Sequence, residues 1–337
     1  MPQHTRTDER LEIALEAILA GLGALRVVLR DPRARLPVIK SDGSPVTAGD
    51  LAVQMAVCAV LARRSSGLAV VGEEGEASVS GAGGDELLAR AVAAVRESMG
   101  AEAPADPIGL LMQPPTRPGE RWWTVDPIDG TKGFRSSRHY ALCLALVESG
   151  KATVGVLSCP TLVMGRDPLE IGADSQNGTI YAAVHRQGAW KFQPTDGQRT
   201  LPDSMTELRR PIRTTSSIRV CDSIEGGSRA ERMREVMTAT GLAWNSIALD
   251  SQCKYALVAE GAADCFMRVP GSRGAEKVWD HAPGVVVAEE AGAAVSDLCG
   301  NELVFMGESL DRNVGTLACD REIAPVIHAV AAQQWGR

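Results

Sequence analysis

Asp126 and Asp129 stand three residues apart in the run Trp122-Trp123-Thr124-Val125-Asp126-Pro127-Ile128-Asp129-Gly130-Thr131. Two carboxylates a few ångströms apart repel unless a cation or a proton lies between them. Pro127 fixes its own φ and moves Asp126 out of helical geometry, so the segment is a bend at a strand end and not a helix face. Such a bend lets both carboxylates address one point. Gly130 permits close backbone approach, and Thr131 brings a hydroxyl and an N–H near a helix start. That combination suits a phosphate oxygen or a metal-bound water. The plainer alternative is a polar turn in which Asp126 caps and Asp129 is solvated.

Other acidic and basic residues extend the pattern. Glu73 and Glu74 follow the apolar run Leu68–Val71 after Gly72, and ligand sites collect at strand ends in α/β folds; the alternative is a solvated loop. Asp50, like Thr47, stands where a helix over residues 51–64 needs an N-terminal cap or carboxylate. Asp280 follows Trp279 at a helix start and, taken alone, reads as an N-cap. His281 beside it is a ligand or a packed side chain. Ser251 and Lys254 share one helix face by their i, i+3 spacing, and Arg268 sits on the next strand. A cation there holds a second anionic group, unless Lys254 is an ordinary surface lysine.

The elements that must carry these residues follow from periodicity and turn signals. Leu11–Arg30 has helical spacing and is rich in Ala, Leu and Glu, with Pro32 and Pro37 beyond its end. Residues 86–99 read as a further helix. Residues 78–84 and 101–119 are rich in small, Gly and Pro residues and read as loose connections. Residues 140–147, 153–159, 179–185 and 188–192 read as successive strands, antiparallel, the last two a hairpin. The polar stretch 193–210 marks a boundary between an N-terminal lobe (1–210) and a C-terminal lobe (211–337). Beyond it strands (218–221, 263–269, 295–298) alternate with helices (228–240, 249–260, 280–291), which points to an α/β layer.

The chain has 337 residues, 45 % of them hydrophobic and 23 % charged, enough for one large domain or two packed lobes. Its net charge of −7 argues against nucleic acid as a partner, because phosphate-backbone binding needs a positive surface. The 8 Cys form no C-x-x-C pair and no Cys/His cluster at zinc spacing, so no zinc site is expected, and a reducing compartment fits them. No apolar run reaches membrane-spanning length and the polar start lacks a signal-peptide core. A cytoplasmic monomer is expected, or an organellar one if a transit segment was removed.

Gly72-Glu73-Glu74, Asp126-Pro127-Ile128-Asp129-Gly130-Thr131 and Trp279-Asp280-His281-Ala282, in that order, resemble the inositol monophosphatase superfamily of magnesium-dependent, lithium-sensitive phosphatases. The resemblance runs from about Lys40 to Ala294. Within the superfamily, Lys40-Ser41-Asp42-Gly43-Ser44-Pro45-Val46-Thr47, Gly130-Thr131-Lys132-Gly133-Phe134 and Asp250-Ser251-Gln252-Cys253-Lys254-Tyr255 look like the 3′(2′),5′-bisphosphate nucleotidases. The resemblance implies a layered α-β-α-β-α sugar-phosphatase fold, with an antiparallel N-terminal sheet and a smaller C-terminal α/β lobe. It implies that Glu73, Asp126, Asp129, Asp280 and the Ile128 carbonyl hold two or three Mg²⁺ ions, a hard-oxygen donor set suited to that ion. Glu74 supports the site from behind or touches a further ion. Thr131 takes or relays the proton of the attacking water, with Asp50 orienting its hydroxyl, and the Gly130 and Thr131 N–H groups bind the phosphate. Ser251, Lys254 and Arg268 fall where the nucleotidases contact the nucleotide.

The implied reaction is hydrolysis of the 3′-phosphate of adenosine 3′,5′-bisphosphate (PAP) to AMP, with its sulfated form (PAPS) as a second substrate and a role in sulfur metabolism. The alternatives are an inositol phosphate phosphatase and an inactive nucleotide-sensing homologue. One departure is notable. Fungal and plant nucleotidases commonly carry a His in the segment that reads Glu225-Gly226-Gly227-Ser228 here, where Ser228 replaces it.

Overall fold

Asp8 caps the first helix, its side chain accepting from Arg10 N, and the helix α1 (Glu9–Val28) buries most of its length. The structure, a computed structural model, describes residues 8–79, 83–111, 119–163, 167, 170–171, 178–224, 226–271 and 276–336. A small hairpin, β1 (Val38–Ile39) and β2 (Pro45–Val46), leads into α2 (Ala48–Arg64). Thr47 is the N-cap of α2 and Asp50 its third residue; the two form a capping box. The run Leu51–Leu61 is buried on all sides, and the only polar residue in it is Gln54.

The chain continues through β3 (Ala69–Gly72), α3 (Gly84–Met99), α4 (Pro107–Leu111), β4 (Arg121–Asp129) and α5 (Thr131–Arg135). Then come β5 (Ala141–Glu148), β6 (Lys151–Cys159), β7 (Thr179–Val184), β8 (Gly188–Phe192) and β9 (Thr206–Leu208). Strands β3 to β9 form one seven-stranded sheet in sequence order. All its pairings are antiparallel except β3 with β4, which is parallel. The expected hairpin of β7 and β8 is present. The stretch 101–119 is not wholly a connection: α4 lies within it and buries Pro107 and Leu111, while 112–118 are outside the described residues. Residues 80–82 of the other expected loop are also outside them.

The second sheet is built from β10 (Ile218–Asp222), α6 (Ser228–Ala239), β11 (Trp244–Ala248), α7 (Cys253–Glu260), β12 (Cys265–Arg268), α8 (Ala282–Ala291), β13 (Ala294–Ser296), β14 (Thr316–Cys319) and α9 (Ala324–Trp335). Its strand order is β11-β10-β12-β14-β13, parallel on the β11-β10-β12 side and antiparallel on the other. In this half two helix starts differ from expectation. Helix α7 begins at Cys253 rather than Leu249, and α8 begins at Ala282 after a 3₁₀ turn over Val278–Asp280.

Helices α1 and α2 cover one face of the large sheet with α3 packed on them, α7 and α8 fill the space between the sheets, and α6 and α9 cover the far face of the small one. The layers are therefore α-β-α-β-α, as expected. The two tryptophans of β4 record the alternation of a buried strand. Trp123 packs with α1 and α2, and Trp122 packs in the central layer. Truncating either to Ala would cost about 3–5 kcal/mol.

Candidate active site

Strand β4 delivers the central pair. Residues three apart on a regular strand point to opposite faces. Here Asp126 pairs with Cys143 but Asp129 pairs with Ala141, so three steps on β4 oppose two on β5. That bulge, with Pro127 inside it, turns both carboxylates to one side. Instead of ending at a bend, as expected, the strand runs through the bulge to Asp129. The 3₁₀ turn Val278–Asp280 brings Asp280 to the same place, where the carboxylate oxygens of Asp126, Asp129 and Asp280 lie within 4.8 Å of one another.

Glu73 follows the end of β3, its N–H on the carbonyl of Val125. Its carboxyl lies beside that of Asp126 and pushes it upward. Burial is the largest cause pushing all these acids upward. The Glu73 carboxyl rises to about 8, with Glu74 the next contributor. That of Asp129 rises to about 7, with Asp280 next. Asp126 is pushed well above the carboxylate range by burial, Glu73, Asp129 and Asp280, and burial also raises Asp280. Asp126 Oδ1 is buried without a partner. Buried like charges with an orphaned oxygen are what a divalent cation relieves. The donors are all oxygen, so the residues present fit a hard cation such as Mg²⁺.

Asp50 and Thr131 take partners that differ from the expected ones, while Glu74 stands behind Glu73. Asp50 Oδ2 accepts from Thr47 N at 2.8 Å and Thr47 Oγ1 at 2.5 Å. Its Oδ1 is orphaned, and burial, then Glu74, raises its carboxyl to about 7. Thr131 Oγ1 donates to the Ile128 carbonyl at 3.2 Å and is not bonded to Asp50. Glu74 is buried and pairs with Lys40 Nζ at 3.1 Å, and Lys40 also lies 3.6 Å from Glu73. Gln54 fixes that segment: its amide donates to Glu74 O at 2.6 Å and accepts from Glu74 N at 3.0 Å.

Gly130 has φ +86°, the left-handed region that favours glycine. A Cβ on it would lie 2.8 Å from Ser251 Cβ, so the loop after β4 rests against the start of α7. Ser251 has φ +68° and precedes α7. It does not share a helix face with Lys254, contrary to expectation. Lys254 is no surface lysine: it is 6 % exposed, its Nζ 5.4 Å from the centre of the Phe266 ring. Burial, then Arg268, lowers its pKa.

Lys254 and Arg268 line a cavity of about 330 Å³ with Asp222, Ser228, Arg229 and Phe266. Both cations act on Asp129 through space, lowering its pKa against burial, so cavity and carboxylate cluster are neighbours. Arg268 Nε is 3.0 Å from Glu276 Oε2, and Arg229 pairs with the same carboxylate. Arg229, Glu276, Lys40, Gln54 and Gln252 received no role from the sequence. Gln54 left a signal, a lone amide in an apolar helical run; Gln252 and Lys40 lay inside the quoted motifs. His281 is packed, not a cluster member: Nδ1 is 2.7 Å from Tyr255 Oη. Of the departing segment, Glu225 is outside the described residues, and Ser228 opens α6 at the cavity wall.

Fold and site together define an α/β protein with an acidic cleft between two sheets and a cationic cavity beside it. The model of the inositol monophosphatase family matches residues 7–334, and the chain belongs to that family. It is 32 % identical over 324 residues to the 3′(2′),5′-bisphosphate nucleotidase of Emericella nidulans, covering 88 % of this chain and 91 % of that one. Identity to the enzyme of the same name from Schizosaccharomyces pombe is 33 %, over 90 % and 89 % of the two chains. Among solved structures, CysQ from Bacteroides thetaiotaomicron, a bacterial member of the family, matches with a TM-score of 0.62 at 20 % identity, over 94 % of this chain and 98 % of that one. The inositol monophosphatase from Anabaena matches with 0.59 at 18 % identity, over 96 % and 95 %. At those identities the likeness concerns the fold.

Proposed function

We propose that this chain is a metal-dependent phosphatase that removes the 3′-phosphate of adenosine 3′,5′-bisphosphate, giving AMP and phosphate, and that also accepts the sulfated form. The family is metal-dependent, and the relatives above are named for this substrate class. The observation that carries the reading is the cavity holding Lys254 and Arg268 beside the carboxylate cluster. A substrate with one phosphate has no use for a second pair of cations; a bisphosphate does.

In this reading Glu73, Asp126, Asp129, Asp280 and the Ile128 carbonyl hold two or three Mg²⁺ ions. When bound, the ions supply Lewis acidity and lower the pKa of a water. The chain's own residues do the rest. The Gly130 and Thr131 N–H groups hold the phosphate being removed. Thr131 Oγ1, which rests on the Ile128 carbonyl, relays the proton of the attacking water, accepting it as its own proton leaves toward the Asp50 carboxylate. Asp50 raises the basicity of that region through its orphaned oxygen, and Glu74 keeps Lys40 against the outer edge of the cluster. Lys254 and Arg268 hold the retained 5′-phosphate, and Ser251 lies between the two phosphate positions. The chain divides near residue 210, after the last strand of the large sheet. Among the described residues no helix is long and apolar enough to cross a membrane.

Phosphate release with Mg²⁺, measured side by side on adenosine 3′,5′-bisphosphate and inositol 1-phosphate, tests the reading. A strong preference for the nucleotide is expected. Preference for inositol 1-phosphate would keep the metal residues and overturn the substrate, with Ser228 the first residue to examine. No release from either would favour a nucleotide-sensing role.

A further inference from the structure

Gln252 joins three parts of the cleft. Its main-chain N–H donates to Asp129 Oδ2. Its side-chain Nε2 donates to the carbonyl of Trp279 at 2.8 Å, one residue before Asp280. Its Oε1 accepts from Gly284 N at 3.0 Å, in the first turn of α8. The side chain is 2 % exposed, so both amide groups are committed away from water. One residue therefore holds a carboxylate of the large sheet through its backbone, and through its side chain ties the turn that carries a second carboxylate to the start of α8.

We propose that Gln252 is the positioning residue that sets the spacing of Asp129 and Asp280, and thereby the affinity of the cleft for its metal. The inference rests on the metal-site reading given above. Asp280 stands on a single 3₁₀ turn, where its Oδ2 accepts from Lys277 N at 3.3 Å, and a turn this short needs outside partners to fix it against α8. The Trp279 carbonyl lies within that turn and the Gly284 N–H in the first turn of α8, and only a group that both donates and accepts satisfies the two at once. Glutamine does so; an apolar residue of the same length leaves both buried groups unpaired. Gln54 uses the same device at Glu74, donating to its carbonyl and accepting from its N–H, so both glutamine amides hold segments that carry cluster acids.

The test uses the metal-free full chain and Mn²⁺ as the probe, with free Mn²⁺ read by electron paramagnetic resonance. Gln252→Met should weaken Mn²⁺ binding about 10- to 100-fold, the usual effect of removing a partner that orients a metal ligand. Gln252→Asn, which keeps the amide but reaches only one of the two partners, should fall between Met and wild type, and it carries the test if the Met variant does not fold. Metal-free melting temperatures are recorded in parallel. A glutamine with a merely structural role would lower the metal-free melting temperature and leave Mn²⁺ affinity at the wild-type value; that result in either folded variant overturns the proposal. Wild-type protein that binds no Mn²⁺ would overturn the metal-site reading and this inference with it. Wild type that binds, with variants that bind equally well, overturns this inference alone.

Discussion

Arg268 donates from Nε to Glu276 Oε2 at 3.0 Å, at the wall of the cavity beside the acidic cleft. Glu276 also meets His281 and Arg229, and despite its burial these partners hold its carboxyl down to about 2. The carboxylate is thus charged across the working range, and it fixes one edge of the Arg268 fork. An arginine anchored at one edge presents its remaining N–H groups in a defined direction, which a lysine cannot reproduce.

Substrate discrimination is the consequence. Arg268→Ala should lower kcat/KM for adenosine 3′,5′-bisphosphate by about 10- to 100-fold, the worth of one charge-assisted hydrogen bond or two. The same variant should act on adenosine 3′-monophosphate, which lacks the 5′-phosphate, within about twofold of wild type. Parallel assays on the two nucleotides decide the matter. An equal loss on both would remove Arg268 from recognition of the second phosphate.

Metal and pH should be linked. Glu73 is raised to about 8, and Asp50 and Asp129 to about 7. These acids bind protons more tightly in the folded chain than in the unfolded one. Their contribution to stability is therefore complete below about pH 4, the unfolded carboxylate range, and is lost as pH rises toward 7 or 8. Glu276, held low, titrates below this window and does not oppose the trend. The metal-free melting temperature should fall between pH 5 and 8, and Mg²⁺ should raise it more at pH 8 than at pH 5. A metal-free curve that is flat or rising, with equal Mg²⁺ stabilisation at both ends, would contradict the electrostatic account of the cleft.

Some of this arrangement was legible in the sequence and some was not. The strands β5 to β8 are long enough for their apolar runs and turn signals to define them. The acids Glu73, Asp126, Asp129 and Asp280 stood out because carboxylates directly after buried runs are costly unless they have a use. Three kinds of feature carried no local signal. β14 is four residues long and β11 is mostly exposed, so neither stands out by periodicity. Ser251 takes a left-handed backbone because the Gly130 loop lies against it, a tertiary cause that helical spacing cannot register. The burial of Lys254 follows from α7 lying between two sheets, and nothing in its neighbours announces that.

The contact between Gly130 and Ser251 can be isolated by comparison. Gly130→Ala adds a Cβ at 2.8 Å from Ser251 Cβ in a backbone with φ +86°. The left-handed conformation costs about 1–2 kcal/mol and the overlap about 1–3 more. Gly43 has a similar φ of +83° with nothing within 4 Å of the added atom. Gly43→Ala should therefore show the backbone cost alone, about 1–2 kcal/mol. Urea denaturation of both variants should place Gly130→Ala well below Gly43→Ala in stability. Equal losses would mean that the loop after β4 does not rest on α7 in solution.

Thr131 and Asp50 make a sharper demand on kinetics. Asp50 Oδ2 is committed to Thr47, and the Thr131 hydroxyl to the Ile128 carbonyl. If the Thr131 hydroxyl moves a proton during the reaction, Thr131→Ala should lower kcat by about 10²- to 10⁴-fold, with KM for the nucleotide little changed. Thr131→Ser keeps the hydroxyl and should retain most of the turnover. Asp50→Asn keeps an oxygen acceptor for Thr47, so α2 should stay capped and the melting temperature should move little. Its loss of charge should nonetheless slow turnover, because an amide in place of the orphaned carboxylate oxygen cannot take the proton that Thr131 relays. Steady-state kinetics of the three variants separate the roles. Full turnover in Thr131→Ala would exclude that hydroxyl from proton transfer, and full turnover in Asp50→Asn would leave Asp50 with its helix-capping role only.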